Sequence, residues 1–238
     1  MSTKVNRKWL IRELDSLLKE NLDCVYYLLG QKLREDDARV TFYKHINIVL
    51  SSAIISLIFV DKHLDTPNWL NCIRAEYSLS DRRAIRYREL NYYYQTTVNC
   101  TFIHLFNAFE HAIRRICEKY DNRLYESKKG SIGLLCKKLF RQLELNNKDE
   151  FIDLITYLRN SLHNNGLYMP LRDLENKEIE WNGTIFSFIV NQPIKSDLWR
   201  SLIPICKETM CLFNEIISTK TIEEISEFPD YTEPVVST

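Results

Sequence analysis

The residues of this chain best suited to chemistry lie in one short run, Arg159-Asn-Ser-Leu-His163. Arg159 and His163 are four positions apart, so on a helix they share one face about one turn apart. Leu158 and Leu162 then point to the other side. An arginine is permanently cationic and forks onto phosphate oxygens. A histidine takes or gives a proton near neutral pH. Asn160, Asn164 and Asn165 add amide donors and acceptors. A cation and an acid/base on one face suit cleavage of RNA by its own 2′-hydroxyl. The imidazole would activate that hydroxyl or protonate the leaving oxygen. The guanidinium would hold the scissile phosphate and its developing charge. The same residues also suit a plain helix end, since Arg and His complement the C-terminal dipole and Asn-Asn-Gly stops a helix. Spacing alone leaves both readings open.

Two further groups accompany this run. Asn107, Glu110, His111 and Arg114 fall at i, i+3, i+4 and i+7, hence on one side of a helix. That side can face Arg159 and His163, or it can be a solvated face with internal ion pairs. Arg82, Arg83 and Arg86, with Arg88 and the interleaved Tyr87, precede Tyr92, Tyr93 and Tyr94. Arginines among aromatics can bind single-stranded RNA through phosphate contacts and stacking. The alternative is an exposed basic face with tyrosines turned inward, its field diluted by Glu76, Asp81 and Glu89. His45, His63 and His104 lack a partner pattern and read as structural or surface residues. Cys206 and Cys211 lack zinc-like spacing. There is no Gly-rich phosphate loop or Gly-x-Ser-x-Gly elbow. No metal or cofactor is expected.

The elements that must position these residues are mostly helices. Apolar residues at 10, 11, 14, 17 and 18 form a stripe that continues toward Gly30. A long helix is expected over 38–63. Thr66 and Pro67 then start another, carrying Trp69, Leu70, Ile73 and Tyr77. Asp81 caps the arginine-rich helix, and a long helix follows over 92–120. Residues 121–131 read as a polar loop. Helices over 132–143 and 151–164 follow, the second ended by Gly166 and Pro170. Residues 178–188 alternate about Asn182-Gly183, the signature of a two-residue β-hairpin. A last helix is expected over 196–217. The fold class is therefore all-α in the main: a helical bundle with one β-hairpin before the last helix. The expected organisation is an N-terminal helical region over 1–90, a helical domain over 91–218 with its hairpin at 178–190, and a disordered tail over 219–238.

Composition narrows the function classes. The 238 residues hold only 5 Gly and 6 Pro, which favours long elements over the frequent turns of a sandwich or barrel. Lys plus Arg equals Asp plus Glu at 32 each, so an anion-binding surface must be a local patch. The N-terminus leads into an amphipathic segment rather than an apolar signal core. The seven cysteines are scattered; Cys24, Cys72, Cys100, Cys117 and Cys136 read as reduced thiols buried among apolar helical residues. Residues 46–60 are apolar but short of the ~20 a bilayer needs, and carry Asn47, Ser51, Ser52 and Ser56. The expectation is a cytoplasmic protein with no membrane association.

The run Tyr157-Leu-Arg-Asn-Ser-Leu-His-Asn-Asn-Gly166 resembles the signature of HEPN domains, all-α modules of bacterial toxin and antiviral systems. That signature is an Arg, usually followed by Asn, Asp or His, and then a His after four to six intervening residues. Here Asn160 follows Arg159, and three residues intervene before His163. Phe102 to Ile116 is similar to the long helix that precedes the signature helix in such proteins and often carries an inward Glu. The resemblance covers residues 92–217. It implies a homodimer whose signature helices face a shared cleft. It also implies one of two functions: a metal-independent endoribonuclease, or a non-catalytic module binding RNA, a nucleotide or a protein partner.

Overall fold

In a computed structural model, residues 7–64, 68, 82–128, 130–164, 166–170, 175–194 and 198–230 are described. Helix α1 spans Arg7–Gly30 and α2 spans Ala38–Phe59, with a π-helical turn at Val60–Leu64. Helix α3 runs unbroken over Arg82–Tyr120, followed by α4 at Asn122–Lys128, α5 at Ile132–Gln142 and α6 at Asp149–His163. Strands β1 (Lys177–Trp181) and β2 (Thr184–Phe188) precede α7 (Leu198–Ile217) and α8 (Lys220–Glu223). The protein is thus mostly helical with one small antiparallel hairpin, as its sequence pattern indicates. Asn182 (φ 48°) and Gly183 (φ 69°) supply the two positive φ values that the hairpin turn needs.

The apolar stripes meet in one core that runs from Leu10 of α1 to Phe228 near the C-terminal end of the described chain. Phe42 of α2 packs its ring 3.8 Å from that of Phe213 in α7 and 6.5 Å from that of Phe109 in α3. These three rings join α2, α3 and α7. The boundary expected at residue 90 falls inside α3, and the core crosses it.

Two expectations change. Residues 122–128 form the short helix α4 rather than a loop, with Asp121 Oδ1 accepting the Leu124 N–H at 3.0 Å as a local cap. The tail expected to be disordered from 219 is packed as far as Asp230. Phe228 is buried, its carbonyl accepts the Ala38 N–H at 2.7 Å, and Asp230 donates its N–H to the Asp36 carbonyl at 2.8 Å. The anchor is Asp37. It caps α2 by accepting the Arg39 N–H at 2.9 Å, chelates the buried Arg39 guanidinium at 2.8 Å, and accepts the Phe228 N–H at 3.0 Å. Arg39 in turn lies 4.7 Å over the Phe228 ring. No apolar period announces this strap, because polar hydrogen bonds hold it. Residues 231–238 lie outside the described residues, as do Thr66, Pro67, Trp69, Leu70, Ile73 and Tyr77.

Helix α2 buries one face, including Phe42, Ile46, Leu50, Ala53 and Leu57. Its other face leaves Ile48, Ile55, Ile58 and Phe59 exposed. Among the described residues, α2 is the helix long and apolar enough to cross a membrane, by length and composition alone. Cys117, Cys136 and Cys206 are buried, whereas Cys100 is exposed, correcting the expectation that it lies in the core.

Candidate functional site

Helix α6 presents the Arg159-to-His163 run at its C-terminal end. Asp149 and Glu150 open the helix and His163 closes it, an arrangement that complements the dipole at both ends. Phe151, Leu154, Ile155, Leu158 and Leu162 go into the core and fix the helix rotation. Asn160 and His163 are thereby left exposed, with Arg159 half-buried. The last turn closes when Gly166 (φ 83°) donates its N–H to the Ser161 carbonyl at 2.9 Å. Asn164 Nδ2 donates to the Asn160 carbonyl at 2.9 Å. Asn164 therefore acts on the helix end, and Asn165 lies outside the described residues.

The guanidinium of Arg159 sits at the seam where α3, α6 and α7 meet. Its stem lines a small apolar notch with Phe102, Phe106, Leu158 and Ile205. Across this seam Glu110 Oε2 stands 3.5 Å from Arg159 Nη2. The other carboxylate oxygen of Glu110 accepts from Arg114 Nε at 2.9 Å and Nη2 at 2.7 Å. One carboxylate thus serves two arginines, and Arg114 has the shorter contacts. Arg159 Nη1 also donates to Asn160 Oδ1 at 3.2 Å. Arg159 Nε is buried with no acceptor among the described residues. A buried guanidinium N–H without an acceptor is unusual in a folded protein. The result is a partly satisfied cation beside an exposed histidine, on one helix face.

The four polar residues of α3 divide. Glu110 and Arg114 face the Arg159 seam. Asn107 and His111 line a cleft between α2 and α3, about 450 Å³ in volume, with His45, His104 and Cys100. His111 Nε2 bonds the buried Asp230 Oδ1 at 2.9 Å, and Asp230 Oδ2 accepts from Thr41 Oγ1 at 2.8 Å. Thus His111 ties α3 to α2 and the C-terminal strap. His45 and His104, far apart in the sequence, line the same cleft because α2 and α3 pack side by side. That proximity is tertiary, and no spacing along the chain carries it. Arg82, Arg83 and Arg86 begin α3, but their side chains lie outside what the structure describes. No group of three His, Cys, Asp or Glu able to hold a metal occurs among the described residues.

No protein-family model, curated protein or solved structure matches the chain.

Proposed function

We propose that this chain is a HEPN-like protein of a bacterial defence or toxin system that cleaves RNA without a metal ion, through Arg159 and His163. The observation that carries the reading is Arg159: a half-buried guanidinium, loosely paired to Glu110, with one N–H unmatched and an exposed histidine one turn away. In the cleavage step, the 2′-oxygen attacks the adjacent phosphorus. The O2′–P bond forms, the P–O5′ bond breaks, and a 2′,3′-cyclic phosphate remains. His163 takes the 2′-hydroxyl proton or delivers one to the leaving 5′-oxygen. Arg159 binds the non-bridging oxygens as charge grows on them. A homodimer would bring a second His163 to the cleft, so that one imidazole serves as base and the other as acid. The protein would act in the cytoplasm.

A second reading is a non-catalytic HEPN-like module that binds RNA, a nucleotide or a protein partner. Glu110 favours it, because its carboxylate occupies both Arg114 and Arg159. The three-residue gap between Arg159 and His163 also favours it. Incubation of mixed-sequence RNA with the protein in EDTA separates the two. Cleavage by the wild type that disappears in His163→Ala supports the nuclease. RNA binding without cleavage supports the module. Sedimentation showing only monomer at micromolar concentration would remove the composite cleft.

A further inference from the structure

We infer that a groove on the opposite side of α7 binds single-stranded nucleic acid, one base lying against Trp9 and the backbone running along Arg200 and Lys207. The groove is formed by the start of α1, the hairpin turn and α7, and encloses about 640 Å³. Its walls include Trp9, Trp181, Ile203 and Pro204, and Arg200 and Lys207 stand at its edge. Trp9 is 40% exposed, so part of its indole is open to solvent at the groove. Trp181 is half-buried, its ring braced 5.2 Å from that of Phe151, so the wall it offers is rigid. Arg200 and Lys207 are both exposed.

The lining chemistry selects the occupant. Two indoles supply planar surfaces on which any base can stack, and exposed cations supply phosphate contacts. The acid at the groove, Glu208, lies 3.5 Å from Lys148 Nζ, which Glu215 Oε1 approaches more closely at 2.8 Å, so the positive balance of the groove comes from Arg200 and Lys207. On α7, Arg200, Lys207 and Cys211 lie on the groove side, while Ile205 and Thr209 face the Arg159 notch, roughly half a turn away. The groove thus uses none of the residues assigned to cleavage. It stands independently of that reading and would place a strand on a second face of the same helix.

The test is fluorescence titration of the full chain in EDTA with twelve-nucleotide uridine and deoxyuridine oligomers. Stacking on Trp9 should quench indole emission. Trp9→Ala should weaken binding about 5- to 150-fold, the contribution of one stacked base. Lys207→Ala should reduce the slope of log affinity against log salt by ~0.7, one phosphate contact on a single strand. Preference for the uridine oligomer would assign the groove to RNA, and equal affinity to single strands generally; either supports the inference. Unchanged affinity and salt slope in both variants would overturn it, as would a protein partner whose binding Trp9→Ala abolishes while oligomer binding persists. If the groove variants bind normally yet His163→Ala stops cleavage, this inference fails and the proposed activity stands. Lost binding in the groove variants with no cleavage by the wild type gives the reverse.

Discussion

Glu110 and Arg159 face each other across the seam of α3 and α6, 3.5 Å apart, and Glu110 makes its shorter contacts with Arg114. The carboxylate therefore holds Arg159 in place while competing with any phosphate for it. At 3.5 Å, with Arg159 32% exposed and Glu110 bound more closely to Arg114, this is the weaker of the two ion pairs that Glu110 makes.

Glu110→Gln removes the competing charge while keeping the shape. RNA affinity at low salt should rise by roughly one phosphate contact's worth, about 2- to 10-fold. The melting temperature should fall only slightly. Filter binding over a salt series reads the effect. Weaker binding in Glu110→Gln would show that the carboxylate chiefly positions Arg159 rather than competing for it.

Asp37 should be the most sensitive polar position in the fold. It is buried and serves the α2 cap, the Arg39 guanidinium and the Phe228 N–H together. Asp37→Ala leaves the buried Arg39 charge without its partner, a change that typically removes about 3–5 kcal/mol. Urea denaturation should show that loss. Residues 225–230 should also become sensitive to protease, since Arg39 donates to the Ile225 and Ser226 carbonyls. A loss under 1 kcal/mol would contradict this description of the strap.

Alkaline pH should destabilise the protein through its buried thiols. Burial pushes Cys117 and Cys206 up to about 12, from the 9.0 of an ordinary thiol, and pushes Cys136 up as well. Above pH 9 the unfolded chain releases these protons while the folded chain keeps them. Their stabilising contribution is complete below pH 9 and is lost as pH rises toward 12, at ~1.4 kcal/mol per pH unit for each thiol. Cys206→Ala should therefore cost progressively less, relative to wild type, as pH rises from 9 to 12. A difference that stays constant over that range would exclude Cys206 as a source.

Much of the fold was legible because its helices carry long apolar stripes. Leu10, Leu14 and Leu17 of α1, and Leu154, Leu158 and Leu162 of α6, repeat at helical spacing and are all buried. The hairpin was legible because Asn182-Gly183 has few other conformations to serve. The C-terminal strap was not, since Asp37, Thr41, His111 and Asp230 are joined by contacts 119 or more positions apart in all but local pairs. For the candidate site, spacing placed Arg159 with His163 and Glu110 with Arg114. It did not separate Glu110 from Asn107 and His111, because residues three or four apart look equivalent until neighbouring helices claim different sectors of the surface. Here α6 takes one sector and α2 the other.

The most direct test of the central claim is end-group analysis of RNA incubated with the protein in EDTA, for the wild type, Arg159→Ala and His163→Ala. The account predicts wild-type fragments ending in 2′,3′-cyclic phosphate or its 3′-phosphate product. Each variant should be slower by ~10²–10³-fold or more and remain folded, since neither side chain belongs to the apolar core. Cleavage abolished by EDTA, fragments bearing 5′-phosphates, or full activity in His163→Ala would contradict it.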